Sequence, residues 1–236
     1  MNPLLFIQDL ATDVMPDLTE LTEPVAETVN RINFFEMATK GGWIMIVLAI
    51  LLCLAIYIFV ERCITLHQAG KDNPNFMNRI KDYIHDGNLE SALKLCRQTE
   101  TPSARMVEKG ISRIGRPMND VQVAIENLGN IEVSRLEKGL SLLAAVSGGA
   151  PMIGFLGTVL GMVRAFFDMA SAGNNVDITL LSSGIYTAMV TTVAGLIVGI
   201  LAYFAYNYLV ARVTKVVNKM ESYTMEFLDL LNEPAK

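Results

Sequence analysis

Three windows without a charged residue decide what this chain can become: 41–60, 139–163 and 178–211. A helix needs roughly 20 mostly apolar residues to cross a bilayer, and each window is at least that long. Charged residues make up only 18% of the chain, against about 25% in a typical soluble domain. The shortfall is confined to these windows, so the composition is that of a membrane protein and not of a greasy soluble one. The expectation is an all-α integral membrane protein with three transmembrane helices. The third window is longer than a bilayer requires, so its helix should start near Leu180 and continue into solvent.

Orientation follows from where lysine and arginine fall, because cytoplasmic segments retain them. The stretch 61–138 holds twelve, the tail after Ala211 four, the arm 1–40 only Arg31 and Lys40, and the stretch 165–177 none. The arm and the short loop are expected to face outward, the middle segment and the tail inward. The resulting layout is an acidic arm over 1–40, a first span over 41–62 and a cytoplasmic helical domain over 63–138. A second span follows over 139–166, then a short loop over 167–179, a third span over 180–211 and a cytoplasmic helix over 212–236. The arm lacks the basic start and apolar core of a secretory signal. Residues 32–38 within it have the pattern of a short interfacial helix, with Phe34 and Phe35 on its apolar side.

The middle segment reads as helices separated by breakers. Asp86-Gly87-Asn88, Thr101-Pro102 and Gly115-Arg116-Pro117 divide it. From Asn119 the apolar spacing of Val121, Ile125, Leu128, Ile131, Leu136 and Leu140 runs into the second window, predicting one long amphipathic helix that leaves the membrane. Glu132, Arg135, Glu137 and Lys138 on it are expected to form a solvated face, with an inter-subunit network as the alternative. Cys53, Cys63 and Cys96 have no paired spacing, and His67 and His85 are the only histidines. No disulfide, metal site or cofactor is expected. No glycine-rich phosphate loop follows a strand and no nucleophile–base pair is visible, so nothing points to an enzyme. The net charge of −5 with dispersed basic residues argues against nucleic acid.

Small residues recur at helical spacing in the second and third windows. Gly154, Gly157, Thr158 and Gly161 make one stripe, and Gly184, Ala188, Thr191, Gly195, Gly199 and Ala202 another. Such stripes let helix backbones approach closely in lipid. They are expected to hold a homo-oligomeric ring. Pro151 removes one backbone donor and should loosen its helix locally. Ser182, Ser183, Thr187, Thr191 and Thr192 crowd the outer half of the third window, opposite Thr158. The bland alternative is that each hydroxyl bonds a carbonyl one turn back on its own helix. Arg164 and Asp168, four apart, are expected to pair near the outer surface.

The segment Ala150-Pro151-Met152-Ile153-Gly154-Phe155-Leu156-Gly157-Thr158-Val159-Leu160-Gly161-Met162 resembles the second-span motif of the MotA/TolQ/ExbB proton-channel family. The segment from Gly184 to Leu196 resembles its third-span motif, and Leu136-Glu137-Lys138-Gly139-Leu140 and Val60-Glu61-Arg62 also fit. The resemblance covers about residues 36–230 and is nearest to the ExbB branch. It implies a pentameric ring in the bacterial inner membrane, with the arm periplasmic and the second and third spans around a central pore. It also implies an ExbD-like single-span partner whose aspartate carries the proton, and a TonB-like periplasmic protein that receives the force. Carried over by position, Thr158 and Thr192 match the pore threonines, with Thr187 and Thr191 beside them as candidates for the ion pathway. Several ExbB and TolQ proteins have glutamate where this chain has Thr187. The second and third windows contain no carboxylate, so this chain is not itself the proton carrier. Hydroxyl-lined sites serve sodium as well as protons; the ExbB-like motifs favour protons. The rival readings are a TolQ- or MotA-like motor subunit with another output and a passive membrane scaffold.

Overall fold

A computed structural model describes residues 42–71, 75–171 and 178–232. The acidic arm, its expected surface helix and the centre of the loop expected over 167–179 lie outside the described residues. Among the described residues all regular structure is helical: α1 (Gly42–Ala69), α2 (Phe76–His85), α3 (Leu89–Thr99), α4 (Pro102–Ile111), α5 (Met118–Glu137), α6 (Leu140–Ser171) and α7 (Ile178–Asn232). Three helical stretches are long and apolar enough to cross a membrane: α1, α6 with the α5 that leads into it, and α7. The protein is a multi-pass membrane protein. At about 1.5 Å per residue, the 55 residues of α7 reach roughly 80 Å, far beyond the ~30 Å of a hydrocarbon core. Its second half therefore has to pack on something other than lipid.

That partner is the bundle α2–α5. Ile80, Ala92, Cys96, Val107, Ile125 and, from α7, Phe227 form its buried centre. Gly110 makes the approach of α7 possible, because a Cβ there would strike the Phe227 ring and stand 2.8 Å from Ile125 Cδ1. The helix starts are capped where the breakers lie. Asn88 Oδ1 accepts from the Ser91 amide (3.2 Å) and Thr101 Oγ1 from the Ala104 amide (3.3 Å), with Pro102 opening α4; each satisfies an amide that has no partner in the first turn. Burial, and then the charge of Glu108, push the Cys96 thiol up to about 12, which keeps it protonated and inert.

Two expectations about the helices change. The long helix predicted to run from Asn119 into the second span is divided, because Lys138 is extended (ψ 129°) and Gly139 has φ +84°. That left-handed φ favours glycine. The apolar spacing continues across the break, which is why the sequence reads as one helix. The connection between α6 and α7 is also shorter than the stretch 167–179, since α6 continues to Ser171 and α7 begins at Ile178.

Candidate functional site

The site is built on the contact between α6 and α7, where all six packing glycines meet the other helix of the same chain. A Cβ on Gly154 would stand 2.9 Å from the Thr191 carbonyl oxygen, and one on Gly195 would stand 2.8 Å from Gly154 Cα. Gly161 faces Ala188 Cβ (2.8 Å), Gly184 faces Ala165 Cβ (2.6 Å), and Gly157 faces the Thr191 side chain. Gly199 receives the Pro151 ring, whose Cδ would lie 2.7 Å from an added Cβ. Pro151 sits inside α6 and the helix runs through it. The stripes expected to hold a ring are thus filled within one subunit, and any contact between copies has to use other faces.

Close approach of the two backbones sorts the hydroxyls. Thr191 is buried (2% exposed). Its Oγ1 donates to the Ala188 carbonyl at 2.7 Å, with Gly154 O more distant at 3.5 Å. Its side chain packs the two helices together, away from the exposed faces. Thr192, half-buried at the edge of the contact, reaches across to Gly154 O (3.1 Å) and to Thr158 Oγ1 (3.2 Å). Thr158 donates to Phe155 O (2.6 Å) on its own helix. The own-helix alternative therefore describes Thr191 and Thr158, and not Thr192. Thr187 is half-buried and forms no side-chain hydrogen bond among the described residues.

The arrangement has a definite proton inventory. A hydroxyl carries one proton and two lone pairs. With its proton on Phe155 O, Thr158 accepts from Thr192 and still has acceptor capacity at the half-buried edge. Rotation about its C–O bond turns the same oxygen into a donor, so the pair can meet either protonation state of a carboxyl group. Neither hydroxyl titrates in the physiological range. The outer pair behaves differently from expectation: Arg164 and Asp168 are both exposed, and no ion pair joins them among the described residues.

The MotA/TolQ/ExbB proton channel family matches residues 98–222, which include the whole α6–α7 contact and both threonines of the pair. The chain belongs to the MotA/TolQ/ExbB proton channel family. It is 28% identical over 198 residues to a biopolymer transport ExbB homolog of Methanothermobacter thermautotrophicus, covering 80% of this chain and 69% of that one. It is 29% identical to the biopolymer transport protein ExbB of Neisseria gonorrhoeae, over 68% of this chain and 77% of the relative. It is 28% identical to the Tol-Pal system protein TolQ of Haemophilus influenzae, over 87% of this chain and 96% of the relative. Within the family it is most like ExbB.

This MotA/TolQ/ExbB chain also has a buried ionic cluster just beyond the spans. Glu132, expected on a solvated face, is 1% exposed. Arg105 of α4 grips it twice, Nε to Oε1 (2.9 Å) and Nη2 to Oε2 (2.6 Å), and Arg135 Nη1 adds a third bond to Oε1 (3.1 Å). Arg62, buried two turns before the end of α1, donates from Nη1 to the Arg135 carbonyl (3.1 Å), capping the C-terminus of α5 beside the break. A buried carboxylate that loses its bidentate partner is costly, about 3–5 kcal/mol. Arg105→Ala should therefore lower the melting temperature of the purified protein by several degrees. Arg135→Ala, whose side chain is 68% exposed, should cost about 1 kcal/mol or less. Equal melting temperatures for the two variants would contradict this reading.

Proposed function

We propose that this chain is the ring subunit of a proton-motive-force-driven motor in the bacterial inner membrane, one that energises TonB-dependent transport across the outer membrane with an ExbD-like partner. The observation that carries the proposal is the Thr192–Thr158 hydroxyl contact of 3.2 Å at the edge of the α6–α7 packing, in two spans that contain no carboxylate. A proton path needs a group that changes charge, and a buried ionisable group in a membrane is costly and kept for function. Here it comes from outside the chain: the partner's aspartate. Five copies would place their threonine pairs around one pore, each offering a hydroxyl to that aspartate. The stripe glycines are occupied within each subunit, so the ring contacts fall to exposed apolar side chains such as Phe155, Met189 and Val193.

Co-purification tests the proposal directly. The chain expressed with a neighbouring single-span protein should come out as a complex with more copies of this subunit than of the partner, and native mass spectrometry reads the ratio. A monomer in mild detergent, with the partner present, would rule the ring out. The TolQ reading differs in output and not in mechanism; the near-complete coverage of a TolQ relative supports it, and loss of envelope integrity instead of uptake in a deletion strain would select it.

Orientation is tested separately. With the N-terminus periplasmic and the C-terminus cytoplasmic, a cysteine introduced at Ala11 should be labelled by an impermeant maleimide from outside spheroplasts, and one at Ala235 should not. Labelling at Ala235 alone reverses the topology.

A further inference from the structure

Two cavities open between α1 and α7, and Tyr208 borders both. The first, about 340 Å³, is walled by carbon: Leu52, Ile56, Phe59, Leu201 and Phe204. The second, about 380 Å³, lies on the other side of Tyr208, where His67, Gln68 and Arg212 border it together with aliphatic Ile64, Leu66 and Leu209. The two helices run in the same direction. Phe59 meets Tyr208 with ring centroids 6.1 Å apart, and eleven residues further on, just past the end of α1, the Cβ position of Gly70 lies 4.0 Å from Val216 Cγ2. The cavities therefore follow one another along the helix axes. One is apolar and lies within the charge-free windows; the other mixes aliphatic walls with polar groups and begins where those windows end.

Arg212 is the first charge after the third window. Tyr208 holds its guanidinium: Nε and Nη2 donate to the phenolic oxygen (3.1 and 2.8 Å), and the guanidinium carbon stands 5.2 Å from the ring centroid. Among the described residues no carboxylate pairs with it, and Nη1 makes no hydrogen bond. The cation is thus pre-oriented at the head of an apolar groove and lacks an anion.

We propose that this composite groove binds one anionic glycerophospholipid, with an acyl chain along Leu52–Phe59 and the phosphate on Arg212. His67 and Gln68 supply further donors. The shape and charge both select that occupant. A small soluble anion would leave the apolar half empty in contact with water or lipid. A zwitterionic lipid would bring its own cation toward Arg212, whereas a headgroup of net negative charge keeps the whole attraction of an arginine–phosphate contact. The site lies between the first and third spans, away from the Thr158–Thr192 pair, and does not depend on the ion pathway proposed above.

The test uses the full chain, stripped of lipid in detergent, and native mass spectrometry with added phosphatidylglycerol or phosphatidylcholine. Wild type should bind one phosphatidylglycerol per chain about tenfold more tightly than phosphatidylcholine, the scale of one hydrogen bond to a charged group. Arg212→Gln should abolish that preference, and Ala205→Phe, at a residue that lines the apolar cavity and would fill it, should weaken both lipids. Arg212 is exposed, so its variant should fold, and an unchanged melting temperature checks this; should Ala205→Phe fail to fold, the arginine variant decides alone. Equal binding of the two lipids by wild type, an unaltered preference in Arg212→Gln, or displacement of the lipid by millimolar inorganic phosphate would each overturn the proposal. So would an oligomer that binds no lipid, which would mean that a second copy of the chain covers the groove.

Discussion

Gly195→Leu is expected to force the second and third spans apart and lower the melting temperature sharply. The position allows no accommodation. An added Cβ would stand 2.7 Å from the Ala150 carbonyl oxygen and 2.8 Å from Gly154 Cα, both backbone atoms on the facing helix, so no rotamer change relieves the clash. Overpacking that a core absorbs by moving side chains costs about 1–3 kcal/mol. Here whole helices have to part, and lipid offers no hydrophobic penalty to hold them together. A loss of roughly 3 kcal/mol or more corresponds to a fall in melting temperature of about 6–12 °C for a chain of this size. Gly148→Leu is the control, since nothing lies within 4 Å of its Cβ position and it should melt close to wild type. If Gly195→Leu melts with the control, the α6–α7 contact is not what holds the spans.

What could be read from residues alone divides along physical lines. The spans were legible because charge is expensive in hydrocarbon, so its absence over windows of this length has few other causes. The breaks at Asp86-Gly87-Asn88 and Thr101-Pro102 were legible because capping chemistry is local: Asn88 and Thr101 each bond an amide three residues on. Glu132 was not. Its bidentate partner, Arg105, lies 27 residues away on another helix, while Arg135, Glu137 and Lys138 nearby gave it the look of a solvated face. In the sequence Arg62 only closes a charge-free window; its hydrogen bond to the Arg135 carbonyl depends on how α1 packs beside the α5–α6 break. The threonines show the limit most clearly. At 3.6 residues per turn, adjacent residues point about 100° apart. Which of Thr191 and Thr192 enters the packed contact is then set by the rotation of α7 against α6, and spacing within one helix does not specify that rotation.

Removing the hydroxyls at the edge of that contact should stop ion flow while leaving the protein assembled. Thr158→Val keeps the side-chain shape, and Thr158 is half-buried, so packing changes little. Two bonds are lost within the chain, to Phe155 O (2.6 Å) and from Thr192 (3.2 Å). The first only returns an own-helix carbonyl to its ordinary helical state, so stability should fall by about 1 kcal/mol or less. Function is affected differently. In the motor proposed above, a neutral partner aspartate would donate to Thr158, and a charged one would need a donor, which Thr158 would supply by turning its proton away from Phe155. Valine can do neither. A lost hydrogen bond to a charged group costs roughly 1.5–3 kcal/mol, which slows a transfer step about tenfold or more. Thr192→Val removes the group that holds Thr158 in place and should act in the same direction. Thr187→Val should be milder, because that hydroxyl bonds no side chain or carbonyl among the described residues. The measurement is proton flux into liposomes containing this chain and the single-span protein co-purified with it, with energised uptake in cells as the second readout. The Thr158→Val, Thr192→Val double variant should co-purify with the partner at wild-type stoichiometry and conduct at less than about a tenth of the wild-type rate. Wild-type conduction by that variant would make the hydroxyls structural, and a complex that assembles yet never conducts in wild type would favour a passive scaffold.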